Sequence, residues 1–331
     1  MNESKSSSEV ITWVFKNIKF IIIPGYKKRE LSIRESNYFK MNGKRKTRSF
    51  LKSKLTIIGI IIIFVIISFV IFGSWISPYS FEEANLISSD NSEWFGAPSQ
   101  EHPLGQTFLG YDVLARIIYG ARSTLLISVS AVVISLIIGV FLGLIAAFYG
   151  GWIDAILMRV MDIILAFPGI VLAIAIIAMS TEKSLGTPDK SFTKLIIIFG
   201  LIGIPYFARL IRASAIQVQD LPYVDAARLV GASNTRLIFR HILPNCIQPL
   251  IISFTHRIGT VIINLSILSF LGFGDPRLIE WGNDIAAAVF NMRNAPWALL
   301  YPCFMILVTV LAFMLLGDGL REYFDPLLRN I

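Results

Sequence analysis

Charge is what this sequence has least of. Only 16% of its 331 residues are Asp, Glu, Lys or Arg, while 55% are hydrophobic and the mean hydropathy is +0.67. Soluble domains carry about 25% charged residues. The composition therefore argues against a cytoplasmic enzyme, and equally against a disordered chain, a collagen or a disulfide scaffold. Cysteine is scarce as well: Cys246 and Cys303 lie in or near apolar segments with no metal-ligand spacing, which reads as ordinary packing. The phosphate loop GxxxxGK(S/T), HExxH, GxSxG and any Cys/His cluster are missing. No catalytic residue, metal site or nucleotide hydrolysis is expected of this chain itself. Three histidines leave little scope for a proton relay. Carboxylates inside the apolar runs are few, whereas ion-coupled carriers tend to use them.

What is abundant is uncharged length. About 20 apolar residues cross a hydrocarbon core about 30 Å thick. Six candidate spans result: 55–75, 122–148, 162–180, 193 to Arg209–Arg212, 248–271 and 296–317. The fifth is the least clean, because it holds His256 and Arg257. Six spans put both termini on one side. The fold class is an all-α membrane protein.

The net charge of +8 belongs to one end. Residues 1–54 hold 14 Lys+Arg against 4 Asp+Glu, and the remainder holds 16 against 18. A basic block beside an apolar helix marks a cytoplasmic flank rather than a nucleic-acid surface. The 1–54 segment is therefore read as cytoplasmic and 76–116 as extracytoplasmic. The latter carries Glu82, Glu83, Asp90, Glu93, Glu101 and Asp112 against Arg116 alone. Residues 117–331 form a five-helix core. Its connection 213–247 holds Arg228, Arg236 and Arg240 and lies inside, as does the tail with Arg321 and Arg329. Val10, Ile11, Val14, Phe15, Ile18, Ile21 and Ile22 recur at helical spacing before Pro24-Gly25, the pattern of an amphipathic helix on the cytoplasmic leaflet. In GGWIDAILMRVMD, Arg159 is spaced to pair with Asp154 or Asp162. Arg257 has two open readings, facing the bundle interior or a wet cavity, or snorkelling to the cytoplasmic interface.

Residues 219–250 do not read as a passive linker. Asp220 is placed to cap a short helix with Pro222 in its first turn, and Gly231 to end it in a left-handed conformation. Ser233 or Asn234 is placed to cap a second helix, and Pro244 and Pro249 to break or kink the start of the fifth span. Ala226, Ala227, Gly231 and Ala232 suit close approach by another protein.

The run Asp225-Ala226-Ala227, then Gly231-Ala232-Ser233, then Ile242-Leu243-Pro244 resembles the EAA motif of membrane subunits of binding-protein-dependent ABC importers. Asp225 stands where those proteins usually have Glu. HPLGQTFLGYDVLARIIYGARSTL from His102, FYGGWIDAILMRVMDIILAFPGIVLAI, SFLGFG with Trp281-Gly282, and LLGDGLREYFDPLLR resemble the C-type permease of the oligopeptide/dipeptide/nickel family. The resemblance covers about residues 100–329. It implies a type I ABC importer fold with six transmembrane helices, both termini cytoplasmic, in the cell membrane. It also implies coupling to an ATPase through Tyr223, Asp225, Ala226, Ala227, Gly231, Ala232, Ser233 and Pro244. The implied partners are a homologous second permease, two ATP-binding subunits carrying ATP and Mg, an extracytoplasmic solute-binding protein and membrane lipid. Arg257 is the candidate pore or interface charge. Peptides head the implied substrates, with nickel complexes and oligosaccharides also open. A self-sufficient secondary carrier or channel fits six spans equally well, but the structured loop and the scarce carboxylates disfavour it.

Overall fold

The computed structural model describes residues 54–85, 94–179 and 188–324. The expected basic N-terminal segment and its amphipathic helix, Asp90, Glu93 and Arg329 lie outside the described residues.

Among the described residues, helices carry nearly all of the chain. The uninterrupted apolar run after Lys54 forms α1 (Lys54–Ile76). Helix α2 (Val113–Tyr149) starts nine residues before the expected span, because Arg116 and Arg122 are inside the helix rather than at its boundary. Asp112 caps it, its carboxylate accepting from the Ala115 N–H at 2.7 Å. Gly150 and Gly151, at φ +61° and +55°, then turn the chain.

The next segment corrects the sequence reading most. GWIDAILMRVMDIIL forms the helix α3 (Gly151–Leu165), which starts eleven residues before the expected 162–180 span, and that span is a broken pair of α3 with α4 (Gly169–Met179), bent by 83°. Pro168 lies in the break, where its missing N–H and ring prevent a straight continuation. Helix α5 (Pro188–Gln219) follows, then α6 (Pro222–Leu229). The fifth span is longer than expected. A turn at Asn234–Arg236, a π-helical segment Leu237–Ile242, α7 (Leu243–Leu268) and a second π segment form one helix from Asn234 to Phe273. A short α8 (Trp281–Ala288) and the final helix α9 (Pro296–Phe324) complete the bundle.

Five helices are long and apolar enough to span a membrane, and the bent pair makes up to six. The bundle is built on α2 against α5, with α7 beside both and α9 joining α7 to α1. In lipid there is no hydrophobic drive between helices, so close backbone approach has to supply the packing. Gly139 provides it: a Cβ there would come within 2.8 Å of the Ile204 carbonyl and of Phe207 Cβ. Phe207, Ile211, Ile262 and Leu265 fill the centre.

At the Ile76 end, α8 tucks back into the bundle. Trp281 is fully buried and its indole N–H donates to the Ile117 carbonyl at 3.1 Å. Beside it Arg116 donates to Asp284 at 2.5 Å and to the Ala84 carbonyl at 3.2 Å. His102 bridges Asp112 and Gln106 at 3.0 Å each. The Gln106 amide N–H makes Nε2 of His102 the acceptor, which leaves Nδ1–H to donate to Asp112.

Candidate functional site

The site grows from a local chain reversal at the Lys54 end. Leu221, in extended conformation, precedes α6, and Pro222 takes its first turn, where a missing N–H costs nothing. Asp220 was placed by sequence as the cap, but the N-cap position falls on Leu221 and no side chain caps this helix. Val224 is fully buried and holds the helix to the bundle. Gly231 has φ +84°, the left-handed conformation that ends the helix, and its N–H donates to the Arg228 carbonyl. Ser233 caps the next turn by accepting from the Arg236 N–H.

The second half differs from the expected separate helix. It runs straight into α7, and Pro244 neither breaks nor ends it. The π-helical segment Leu237–Ile242 just before Pro244 widens the turn that a proline ring would otherwise crowd. The His241 carbonyl there receives side-chain donors, Asn245 Nδ2 at 2.6 Å and the Tyr223 hydroxyl at 3.4 Å. Tyr223 thus straps α6 to the foot of α7. Leu237 and Ile242 bury the same foot.

At its tip this fold presents two apolar side chains outward. Leu229 is 90% and Val230 89% exposed, at the tip of the reversal. Asp225 is exposed and its nearest cation is Arg228 on the next turn, at 3.5 Å. Ala226 and Ser233 are exposed beside them, with Ala232 and Ala227 half-buried. Sequence reasoning found the small residues and missed Leu229 and Val230, because an apolar pair at a helix end reads as core.

The structure keeps the other candidate charge apart from this tip. Arg257 lies on α7 well inside the Asn234–Phe273 helix. Its guanidinium stacks over the Tyr206 ring at 5.1 Å, and its Nε is buried with no hydrogen-bond partner among the described residues. Asp154 and Asp162 bond neither to Arg159 nor to each other. Asp154 accepts two bonds from Arg212, both 2.5 Å, and Asp162 accepts from Arg209. Helix α3 is thereby fixed to α5, the helix that leads into α6.

The described residues thus form a polytopic helical bundle with a small helical knob, tipped by the exposed Leu229 and Val230, at its Lys54 end, and the family match shows what class of protein this is: a membrane transport subunit. The chain belongs to the family of binding-protein-dependent transport system inner membrane components, whose model matches residues 139–330, and residues 44–93 match the N-terminal TM domain of oligopeptide transport permease C. The dipeptide transport system permease protein DppC of Alkalihalophilus pseudofirmus is 40% identical over 280 residues, 84% of this chain and 88% of that protein. The glutathione transport system permease protein GsiD of Pectobacterium atrosepticum is 37% identical over 284 residues, 86% and 90% of the two chains. GsiD of Escherichia coli is 39% identical with the same coverage. Among solved structures, a chain of an amino acid ABC transporter with histidines aligns at a TM-score of 0.48 and 19% identity, over 61% of this chain and 91% of that one. The protein is a permease subunit of an ABC importer, not an enzyme. The self-sufficient carrier falls with that assignment.

Proposed function

We propose that this subunit imports peptides, forming the passage with a second, homologous permease. It draws power from two ATP-binding subunits that carry the ATP and Mg, and receives its solute from an extracytoplasmic binding protein. The relatives named for dipeptide and glutathione transport support the peptide class. The Lys54 end, with its basic N-terminal flank, is cytoplasmic in this reading, and the acidic 76–116 loop faces the binding protein. The 1–54, 55–75, 76–116 and 117–331 division follows from that orientation.

The observation that carries the coupling role is the exposed pair Leu229–Val230. Two large apolar side chains at the tip of a polar connection, outside the spans, lose solvation energy unless another protein covers them. Full burial of such a side chain is worth about 1.5–3 kcal/mol. Around them Tyr223, Asp225, Ala226, Ala227, Gly231, Ala232 and Ser233 form a surface small enough to seat in a groove of an ATPase, and Pro244 with the π segment sets its angle to α7.

The test is Leu229→Asp with Val230→Asp, scored by ATPase co-purification in mild detergent and by ATP-dependent peptide uptake. Membrane levels should match the parent, and both readouts should fall at least tenfold. Parental values in both would remove the coupling role.

A further inference from the structure

Arg257 is a cation without a counter-charge, deep in an apolar helix. None of the ion pairs among the described residues includes it, and its buried Nε is unpaired. An intramembrane arginine is costly and is kept where it meets a partner or water. Its surroundings say which. The guanidinium leans away from α7 onto α5: over the Tyr206 ring, and within reach of Gly203, where an added Cβ would lie 3.9 Å from Nη2.

That patch of α5 touches the broken span. Ile202, the neighbour of Gly203, lies against Gly169, the first residue of α4. The break itself, Ala166–Pro168, is exposed on the described surface, as is Phe167 at 54%. Irregular backbone is not tolerated against lipid; it has to be covered by protein or line a water-filled cavity. On that rule the exposed break belongs at the face turned to the second permease and the passage between them, and Arg257 reaches the same stretch of α5, Gly203 and Tyr206, whose neighbour Ile202 approaches Gly169. Discontinuous helices are a recurrent way to build a substrate site in the membrane. The neighbouring groove between α2 and α7, about 640 Å³, is lined only by aliphatic and aromatic side chains such as Val140, Phe141, Ile251 and Phe254. It offers nothing to recognise a polar solute, and Arg257 does.

We propose that Arg257 is a carboxylate-binding residue on the translocation path, which holds the C-terminal carboxylate of a peptide while the Tyr206 face supports its guanidinium. This rests on the peptide-import reading above. The carboxylate is the one anionic group that every unmodified peptide shares, so a single guanidinium with free donors serves a substrate class whose side chains vary. A planar fork suits the carboxylate better than an ammonium.

The experiment uses the complete importer in proteoliposomes, with parent, Arg257→Gln and Arg257→Lys. The probes are radiolabelled Ala-Phe and Ala-Ala-Phe as free acids and as C-terminal amides. Binding of each probe to the isolated binding protein is measured separately and divided out. The parent should favour acid over amide. Arg257→Gln should lower acid uptake roughly tenfold or more and bring the acid-to-amide ratio near one. Arg257→Lys should recover part of both. Assembly and ATP hydrolysis stimulated by the binding protein should stay at the parental level. An unchanged acid-to-amide ratio in Arg257→Gln overturns the proposal, and so does an anionic lipid that native mass spectrometry finds on the parent and not on that variant, with the ratio unchanged. Parental importer that takes up no peptide of a broad panel overturns the peptide reading itself, and this proposal with it.

Discussion

Arg212 grips Asp154 with two hydrogen bonds of 2.5 Å, from Nε and Nη2 to separate carboxylate oxygens. One partner is on α3, the arm of the broken span, and the other on α5, seven residues before that helix ends at Gln219. Arg209 repeats the link to Asp162 two turns along α3. Motion delivered to α6 is thus delivered to α3 as well, because the connection from α5 to α6 is only Asp220 and Leu221.

The first prediction separates transmission from folding. Asp154→Arg should lower uptake and leave the protein in the membrane, and the swap Asp154→Arg with Arg212→Asp should restore part of it. Both side chains are partly exposed, so the pair is worth roughly 1 kcal/mol and the double-mutant cycle should show a coupling of that order. Strict additivity in the cycle would show that the two groups do not act together.

At the opposite end the Arg116–Asp284 pair is buried, with each side chain 5% exposed. Removing one member of a buried pair strands the other and costs about 3–5 kcal/mol. Arg116→Ala should lower the thermal midpoint in detergent far more than Arg228→Ala, whose partner Asp225 is exposed on its own helix. Equal shifts would show that Arg116 is not a structural tie between α2 and α8.

Glu280 gives a pH dependence. Burial raises its carboxyl above the ordinary 4.5, against hydrogen bonds from Ser269 and the N–H groups of Gly282 and Asn283, with Asp284 adding to the rise. The folded state therefore holds a proton that the unfolded state releases. Its contribution is complete below 4.5 and is lost as pH climbs towards the folded value. Thermal midpoints of the parent should fall as pH rises above 4.5, and Glu280→Gln should flatten that slope. Asp284 and Arg116 remain in the variant, so some slope persists. Parallel curves for the two proteins would assign the pH dependence elsewhere.

Much of this architecture was readable from residue order, for reasons that differ by segment. α1 and α9 are plain in sequence because an uncharged stretch of that length has one stable solution in lipid. Gly231 was readable because few residues end a helix at positive φ. The break in the third span was not, because Pro168 sits inside a run whose mean hydropathy is high on both sides. Nor was the true start of α2: Arg116 looks like a boundary until Asp284, 168 residues away, is placed beside it. Leu229 and Val230 carry the pattern of buried residues, and only the path of the chain around Gly231 turns them outward.

The last prediction concerns that turn. An added Cβ at Gly231 meets nothing within 4 Å, so a side chain there clashes with no part of this chain. The cost is conformational: φ +84° is open to glycine and strained for a β-branched residue, by about 1–2 kcal/mol. Val224, Leu237 and Ile242 still anchor the hairpin, and the hydrophobicity that drives insertion is unchanged. Gly231→Val should therefore reach the membrane at parental levels but re-aim Leu229 and Val230, weakening ATPase co-purification and uptake together. Gly231→Asn, which tolerates the left-handed region, should sit between the two. Asp225→Ala should act in the same direction but more mildly, since an exposed charged contact is typically worth about 0.2–1 kcal/mol. A series in which Val, Asn and Gly behave alike would show that the ATPase does not read the geometry of this turn.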